Sequence, residues 1–250
     1  MDLREAHANT AARHPWETAR ARFFARLLAD SGALAQVRSG LDVGAGDAWF
    51  AAQLAAQLPK NARLHCVDAE YTPATVAALA ENLPPQVDLC TQPPPGPHDL
   101  VLLLDVLEHV PDDRAFLAEL VARDLAPGGW MLISVPAWQG LFTSHDKFLQ
   151  HFRRYGPAQA RSVLQGAGLQ IVRSGGLFHS LLLPRFVGKL RERALGVHPA
   201  AHDPHITWRA GKPVTAAVNA AFSLDNAASR LLSRWGADVP GLTWWALCRK

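Results

Sequence analysis

The chain has 250 residues, of which 49% are hydrophobic and 19% charged. That is enough apolar material for one large α/β domain, alone or with an insertion, and it excludes a disordered chain. A formal net charge of +3 without a long run of Lys or Arg excludes a nucleic-acid arm, and three scattered cysteines (Cys66, Cys90, Cys248) with no Cys-x-x-Cys pair imply neither a disulfide framework nor a cysteine-held zinc site.

The chain opens on the polar run Met1-Asp2-Leu3-Arg4-Glu5. No apolar stretch is long enough to span a bilayer, so a cytoplasmic protein is expected. Residues 16–29 read as a helix with Phe23, Phe24, Leu27 and Leu28 on it. From there strand and helix alternate. Residues 37–43 end in a strand, 50–58 form an Ala/Leu/Gln helix, and 63–68 form a strand. Residues 73–82 form a helix with Pro73 in its first turn, and 86–91 a short strand. Pro93 to Pro97 is a loop. Residues 99–105, Asp-Leu-Val-Leu-Leu-Leu-Asp, are a continuous apolar run of the kind buried on both faces of a parallel sheet. A helix at 112–124, a Pro-Gly-Gly turn at 127–129 and a strand at 130–135 complete five β-then-α units. Such an order specifies a doubly wound parallel sheet. Beyond it come a helix at 157–167 closed by Gly168, a strand at 169–174 and a last strand at 242–248. Helix-like stretches at 182–194 and 213–235 fall between these two strands. A structureless loop of that length is improbable. The expected domains are an N-terminal lid helix (1–34), a main domain (35–176 plus 239–250) and a helical insertion (177–238).

The segment Asp42-Val43-Gly44-Ala45-Gly46-Asp47 joins the first strand to the next helix. In doubly wound sheets ligands sit beyond the carboxyl ends of the strands, and glycines there let the backbone approach them. A dinucleotide fingerprint needs a small residue where Trp49 stands, and no P-loop sequence occurs. Asp42 at the strand end can meet an ammonium, directly or through water. Asp68, about twenty residues further on, stands where a carboxylate can bind a ribose diol. Asp105 ends a buried strand at the same edge and needs a partner there, either a ligand ammonium or a backbone amide.

With Leu104-Asp105-Val106-Leu107-Glu108-His109-Val110 and Leu125-Ala126-Pro127-Gly128-Gly129 added, the chain resembles class I S-adenosylmethionine (SAM)-dependent methyltransferases over residues 35–175. The resemblance implies a seven-stranded Rossmann-like sheet whose last strand, 243–249, is an antiparallel edge. It implies SAM as cofactor, bound at Asp42, Gly44, Ala45, Gly46, Asp68 and Asp105. Ala48 stands where a third glycine is frequent, and Pro93 to Pro97 replaces an acidic residue after the third strand. The segments Val135 to Asp146 and His151-Phe152-Arg153-Arg154-Tyr155, with His14-Pro15-Trp16 and Arg20, are similar to a bacterial subgroup of lipid-, polyprenol- and glycan-related methyltransferases. That likeness narrows the family without naming the acceptor; the motifs together lead to the expectation of O- or C-methylation of a small-molecule or lipid/glycan-linked acceptor. The alternative is a degenerate SAM-binding or scaffolding protein.

His145, Asp146 and His109 are the catalytic candidates, since a weak oxygen nucleophile needs a base. His109 equally reads as a cap or packing residue of the following helix. His151, Arg154 and Tyr155 are candidate acceptor contacts. Arg153 and Arg154 either bind an anionic group or pair with surface acids. The spacing of His145, Asp146 and His151 fits no defined ligand pattern, so no metal is expected. In the insertion, Leu181 to Leu183 followed by Arg185, Lys189, Arg191 and Arg193 suits a membrane surface. Val214, Val218, Ala221, Phe222 and Leu232 form a stripe that packs on the domain or on a second subunit.

Overall fold

Apolar strands set the frame. In the computed structural model, which describes residues 13–195, 208 and 210–250, β1 (Ser39–Val43) lies between β2 (Arg63–Val67) and β4 (His98–Leu104). The expected polar start, 1–12, and the middle of the expected insertion, 196–207 and 209, lie outside these residues. With β3 (Val87–Cys90), β5 (Leu125–Pro136), β6 (Gln170–Leu177) and β7 (Thr243–Arg249), the seven strands run in the order β3-β2-β1-β4-β5-β7-β6. The first five are parallel, and β7 is antiparallel to both β5 and β6. The sheet is therefore the α/β arrangement expected, with one correction. The antiparallel strand is not the edge; β6 is. Every residue from Trp244 to Cys248 is fully buried, whereas β6 carries the exposed Gln170 and the half-buried Arg173. A strand apolar on both faces belongs inside a sheet.

Alternate residues of each strand feed two cores. Leu100, Leu102 and Trp245 pack with α1 (Pro15–Asp30), α2 (Trp49–Ala55) and α8 (Lys212–Arg234) through Phe24, Leu28, Leu54 and Phe222. Val101, Leu103 and Trp244 pack with α4 (Asp113–Asp124) and α6 (Pro157–Gly166) through Leu117, Val121 and Leu164. Each fully buried leucine contributes about 1.5–3 kcal/mol. Helix starts are chemically marked. The Asp112 side chain accepts from Ala115 N–H at 3.0 Å, and Thr72 and Thr75 form a capping box on α3 (Pro73–Ala80). The turn expected at 127–129 falls inside the span of β5, where Gly128 has φ +70°.

The two outlying helices form one layer. Asn226 of α8 donates to the Ala19 carbonyl of α1 at 3.3 Å, and Arg234 pairs with Asp30 at 3.0 Å. The buried face of α8 holds Phe222, Asn226, Ser229 and Ser233, so only part of the expected apolar stripe packs inward; Val214 is exposed. Small polar residues let α8 approach β6, and Ser229 donates to the Gly176 carbonyl.

α7 (Leu182–Leu195) is turned the opposite way. Its polar side faces the domain. Arg185 pairs with Asp146 at 3.0 Å, Lys189 donates to the Gly140 carbonyl, and Glu192 accepts from Ser144 N–H at 2.9 Å. Its apolar residues Leu183, Phe186, Val187 and Leu190 face outward and are exposed. Among the described residues no helix is long and apolar enough to cross a membrane.

Candidate active site

A cavity of about 730 Å³ opens at the carboxyl ends of the strands, where the order reverses between β1 and β4. Gly44 lies on its floor. Its φ is +73°, its N–H donates to the Val67 carbonyl at 2.8 Å, and a Cβ there would meet Val106 Cγ2 at 2.4 Å. Glycine is needed both for the left-handed backbone and for the close approach. Gly46 N–H donates to Asp68 Oδ2 at 2.9 Å, and Glu70 N–H donates to Asp68 Oδ1 at 3.0 Å. A carboxylate has about four acceptor sites, so Asp68, which lines the cavity, keeps capacity for a ligand.

Asp42, Ala45 and Gly46 do not line the cavity. They shape the turn beneath it. Ala45 N–H donates to the Val67 carbonyl at 3.1 Å, and the Gly46 carbonyl accepts from the Tyr71 hydroxyl at 2.7 Å. Burial, with Asp68 adding to it, pushes the Asp42 carboxyl up to about 7. Ala48 has φ 55°, which explains why a glycine suits that position.

Across the cavity, Arg20 of α1 pairs with Asp105, and its guanidinium lies 4.7 Å from the Trp16 ring. Asp105 has φ 57° and accepts from Ser134 Oγ at 2.9 Å. Trp16, Glu17 and Arg20 make α1 one wall of the cavity.

A second wall forms where two distant segments dock. Phe152 N–H donates to the Glu108 carbonyl at 2.7 Å. Arg153 pairs with Asp113 at 3.0 Å and donates to the Pro111 carbonyl at 2.6 Å. The Tyr155 hydroxyl donates to Asp113 Oδ2 at 2.7 Å. These bonds bring Glu108, His109 and His151 to the same side of the cavity, with His145 and Arg154 near them. The His109 and His151 rings meet edge to face at 4.7 Å.

Asp146 organises this wall from behind and does not line the cavity. It is fully buried. Oδ1 accepts from His151 Nδ1 at 3.0 Å and from Arg154 Nε at 2.7 Å. Oδ2 accepts from Thr143 N–H at 2.9 Å and from Arg185 at 3.0 Å. Burial raises the Asp146 pKa, but the hydrogen bond from His151 and the charge of Arg154 outweigh it and hold the carboxyl well below its ordinary range. His151 is held by Asp146 through Nδ1 alone, which leaves Nε2 outside that hydrogen bond. Tyr155 is also fully buried and off the cavity. Neither Asp146, a catalytic candidate from the sequence, nor Tyr155, a candidate acceptor contact, lines the cavity; both hold neighbouring residues in place. Glu108 is buried with Oε2 lacking a hydrogen-bond partner, and burial, then Asp105, holds its carboxyl well above the usual range. Burial first, then Arg185, lowers the His145 pKa, which favours its neutral imidazole.

The sequence matches the methyltransferase-domain family over residues 11–174. The chain belongs to that family. No curated protein sequence matches it. Among solved structures it is similar to a protein assigned as a sarcosine dimethylglycine methyltransferase from Galdieria sulphuraria, with 20% identity, 92% of this chain and 84% of that one covered, and a TM-score of 0.58. It is also similar to the [4+2]-cyclase SpnF (18%, 98% and 84%, 0.57). A third likeness is to phosphoethanolamine N-methyltransferase 2 from Haemonchus contortus, solved with SAM (19%, 92% and 52%, 0.53). These likenesses show the fold.

The protein is thus a SAM-dependent methyltransferase. Its residues suit the cofactor. The methyltransferase has a floor at Gly44 with no room for a side chain, an Asp68 with spare acceptor capacity, and an Arg20–Asp105 pair of opposite charges for a zwitterion. After β3 the wall is made by Thr91 and Pro93. Arg20 and Glu108 are absent from the residues singled out by sequence as ligand contacts. The signal for Arg20 is its place one helical turn after Trp16, and for Glu108 its adjacency to His109.

Proposed function

We propose that this methyltransferase methylates a hydroxyl oxygen of an apolar or lipid-linked acceptor. The observation that supports this reading is the apolar part of the lining: Val110, Phe116, Leu149, Phe178 and Leu181 line the cavity together with His109, His145 and His151. Asp68 and the Gly44 turn hold the nucleoside side of the cofactor, and Arg20 and Asp105 meet its amino-acid end. SAM, when bound, supplies a methyl group on a sulfonium that leaves as the neutral thioether of S-adenosylhomocysteine. The protein contributes position and a dry site. His145 accepts the proton of the acceptor hydroxyl on its neutral ring. Asp146 with Arg154 and Arg185 keeps the wall rigid behind it.

The test is transfer of labelled methyl from SAM to a lipid extract and to an aqueous extract. Label is expected in the organic phase, with turnover reduced about 10²–10⁴-fold by His145→Ala. Label confined to aqueous products, or none at all, sinks the reading.

The outward face of α7 supports a second element of the proposal, contact with an anionic membrane surface. Leu183, Phe186, Val187 and Leu190 are exposed, and Arg191 and Arg193 are exposed on the same helix. Apolar residues flanked by cations bind anionic interfaces. In this reading the enzyme works on the cytoplasmic side, where Cys66, Cys90 and Cys248 stay as free thiols. Cosedimentation with vesicles containing anionic lipid is expected for the wild type. It should be lost when Leu183, Phe186 and Leu190 are changed to Ser. Equal binding by the variant contradicts the assignment.

A further inference from the structure

The geometry points to a binding site for a divalent transition-metal cation at Glu108, His109 and His151. Among the described residues, these three offer one ligand atom each within 4.8 Å of one another. Ligands at about 2.0–2.2 Å from a cation lie at most about 4.4 Å apart, so the set closes on an ion with sub-ångström side-chain movement. All three side chains line the cavity.

Two independent features favour an ion here. Glu108 is 1% exposed and its Oε2 has no hydrogen-bond partner. A buried carboxylate oxygen without a partner is costly, and a cation satisfies it. His151 is held by Asp146 through Nδ1 at 3.0 Å, which leaves Nε2 for a ligand. A carboxylate behind a histidine is the arrangement that orients metal-binding imidazoles. The histidine rings lie 86° apart, so both can approach one point from different directions.

Two nitrogen donors and one oxygen donor select Mn²⁺, Fe²⁺, Co²⁺ or Zn²⁺ over Mg²⁺ and Ca²⁺, which prefer oxygen. Three protein ligands leave positions open toward the cavity. Resting on the acceptor reading above, the cation takes the acceptor hydroxyl oxygen as a ligand and lowers its pKa, and the proton passes to His145. The acceptor class then narrows to molecules whose hydroxyl can ligate a metal, with a second oxygen beside it strengthening the contact. The spacing of these residues in the sequence does not disclose this set, because His151 reaches it through the docking of Phe152 on Glu108.

The experiment is titration of metal-free wild-type protein with Co²⁺, read by its visible ligand-field absorbance. One equivalent is expected to bind. His109→Gln, His151→Ala and Glu108→Gln are each expected to weaken binding at least about tenfold. His65→Ala, at a histidine on β2, is the control and is expected to leave it unchanged. Glu108→Gln keeps the shape of the buried side chain and decides the matter if a histidine variant does not fold. No Co²⁺ spectrum at millimolar metal, or a wild-type spectrum in Glu108→Gln and the folded histidine variants, overturns the site. S-adenosylhomocysteine binding on the same samples separates the two claims. If it binds while Co²⁺ does not, the methyltransferase reading stands and the metal site falls.

Discussion

Asp146→Ala is expected to lower folding stability by about 3–5 kcal/mol, because it strips the counter-charge from a buried network. The carboxylate is fully buried and receives Arg154, Arg185, His151 and the Thr143 backbone. Arg154 is itself 5% exposed, so water cannot replace the lost partner. The wall formed by residues 143–154 then loses its anchor to α7. Urea unfolding measures the loss. Asp112→Ala is a useful comparison, since it removes only a helix cap worth about 1 kcal/mol. An Asp146→Ala loss no larger than the cap's contradicts the network.

Gly44→Ala is expected to abolish cofactor binding and to destabilise the fold. The left-handed backbone costs about 1–2 kcal/mol with a Cβ. The new methyl would lie 2.4 Å from Val106 Cγ2, an overlap that adds about 1–3 kcal/mol. The two costs can be separated. Val106→Ala removes the clashing methyls, so the double variant is expected to regain the second part and retain the first. Thermal unfolding of the single and double variants checks this. A double variant no more stable than Gly44→Ala shows that the contact with Val106 is not what forbids a side chain.

The sheet was legible because parallel strands announce themselves as apolar runs, as residues 99–105 do. The place of β7 was legible too, in the unbroken apolar run from Trp244 to Cys248, but the family resemblance pointed to an edge. Of the residues that local spacing offered for the cofactor, Gly44, Asp68 and Asp105 line the cavity, and Asp42, Ala45 and Gly46 lie beneath it. The wall that carries His109, His145 and His151 was not legible. Its construction depends on Phe152 bonding to Glu108 and on Tyr155 reaching Asp113, contacts between segments some forty residues apart that no periodicity encodes. Sequence therefore offered Asp146 as a catalytic candidate and Tyr155 as an acceptor contact, whereas both are buried off the cavity. α7 shows the same limit. Its leucines and cations suit a surface helix, but which face turns outward is set by where Arg185 and Glu192 find partners.

The central claim is that the cavity at the β1–β4 reversal holds SAM through Asp68 and the Gly44 turn. Isothermal titration with S-adenosylhomocysteine tests it most directly. The wild type is expected to bind one equivalent at sub-millimolar concentration, with binding weakened at least about tenfold in Asp68→Ala, as loss of a charged hydrogen-bond acceptor implies. Absence of binding in the wild type, or equal binding by Asp68→Ala, would contradict it.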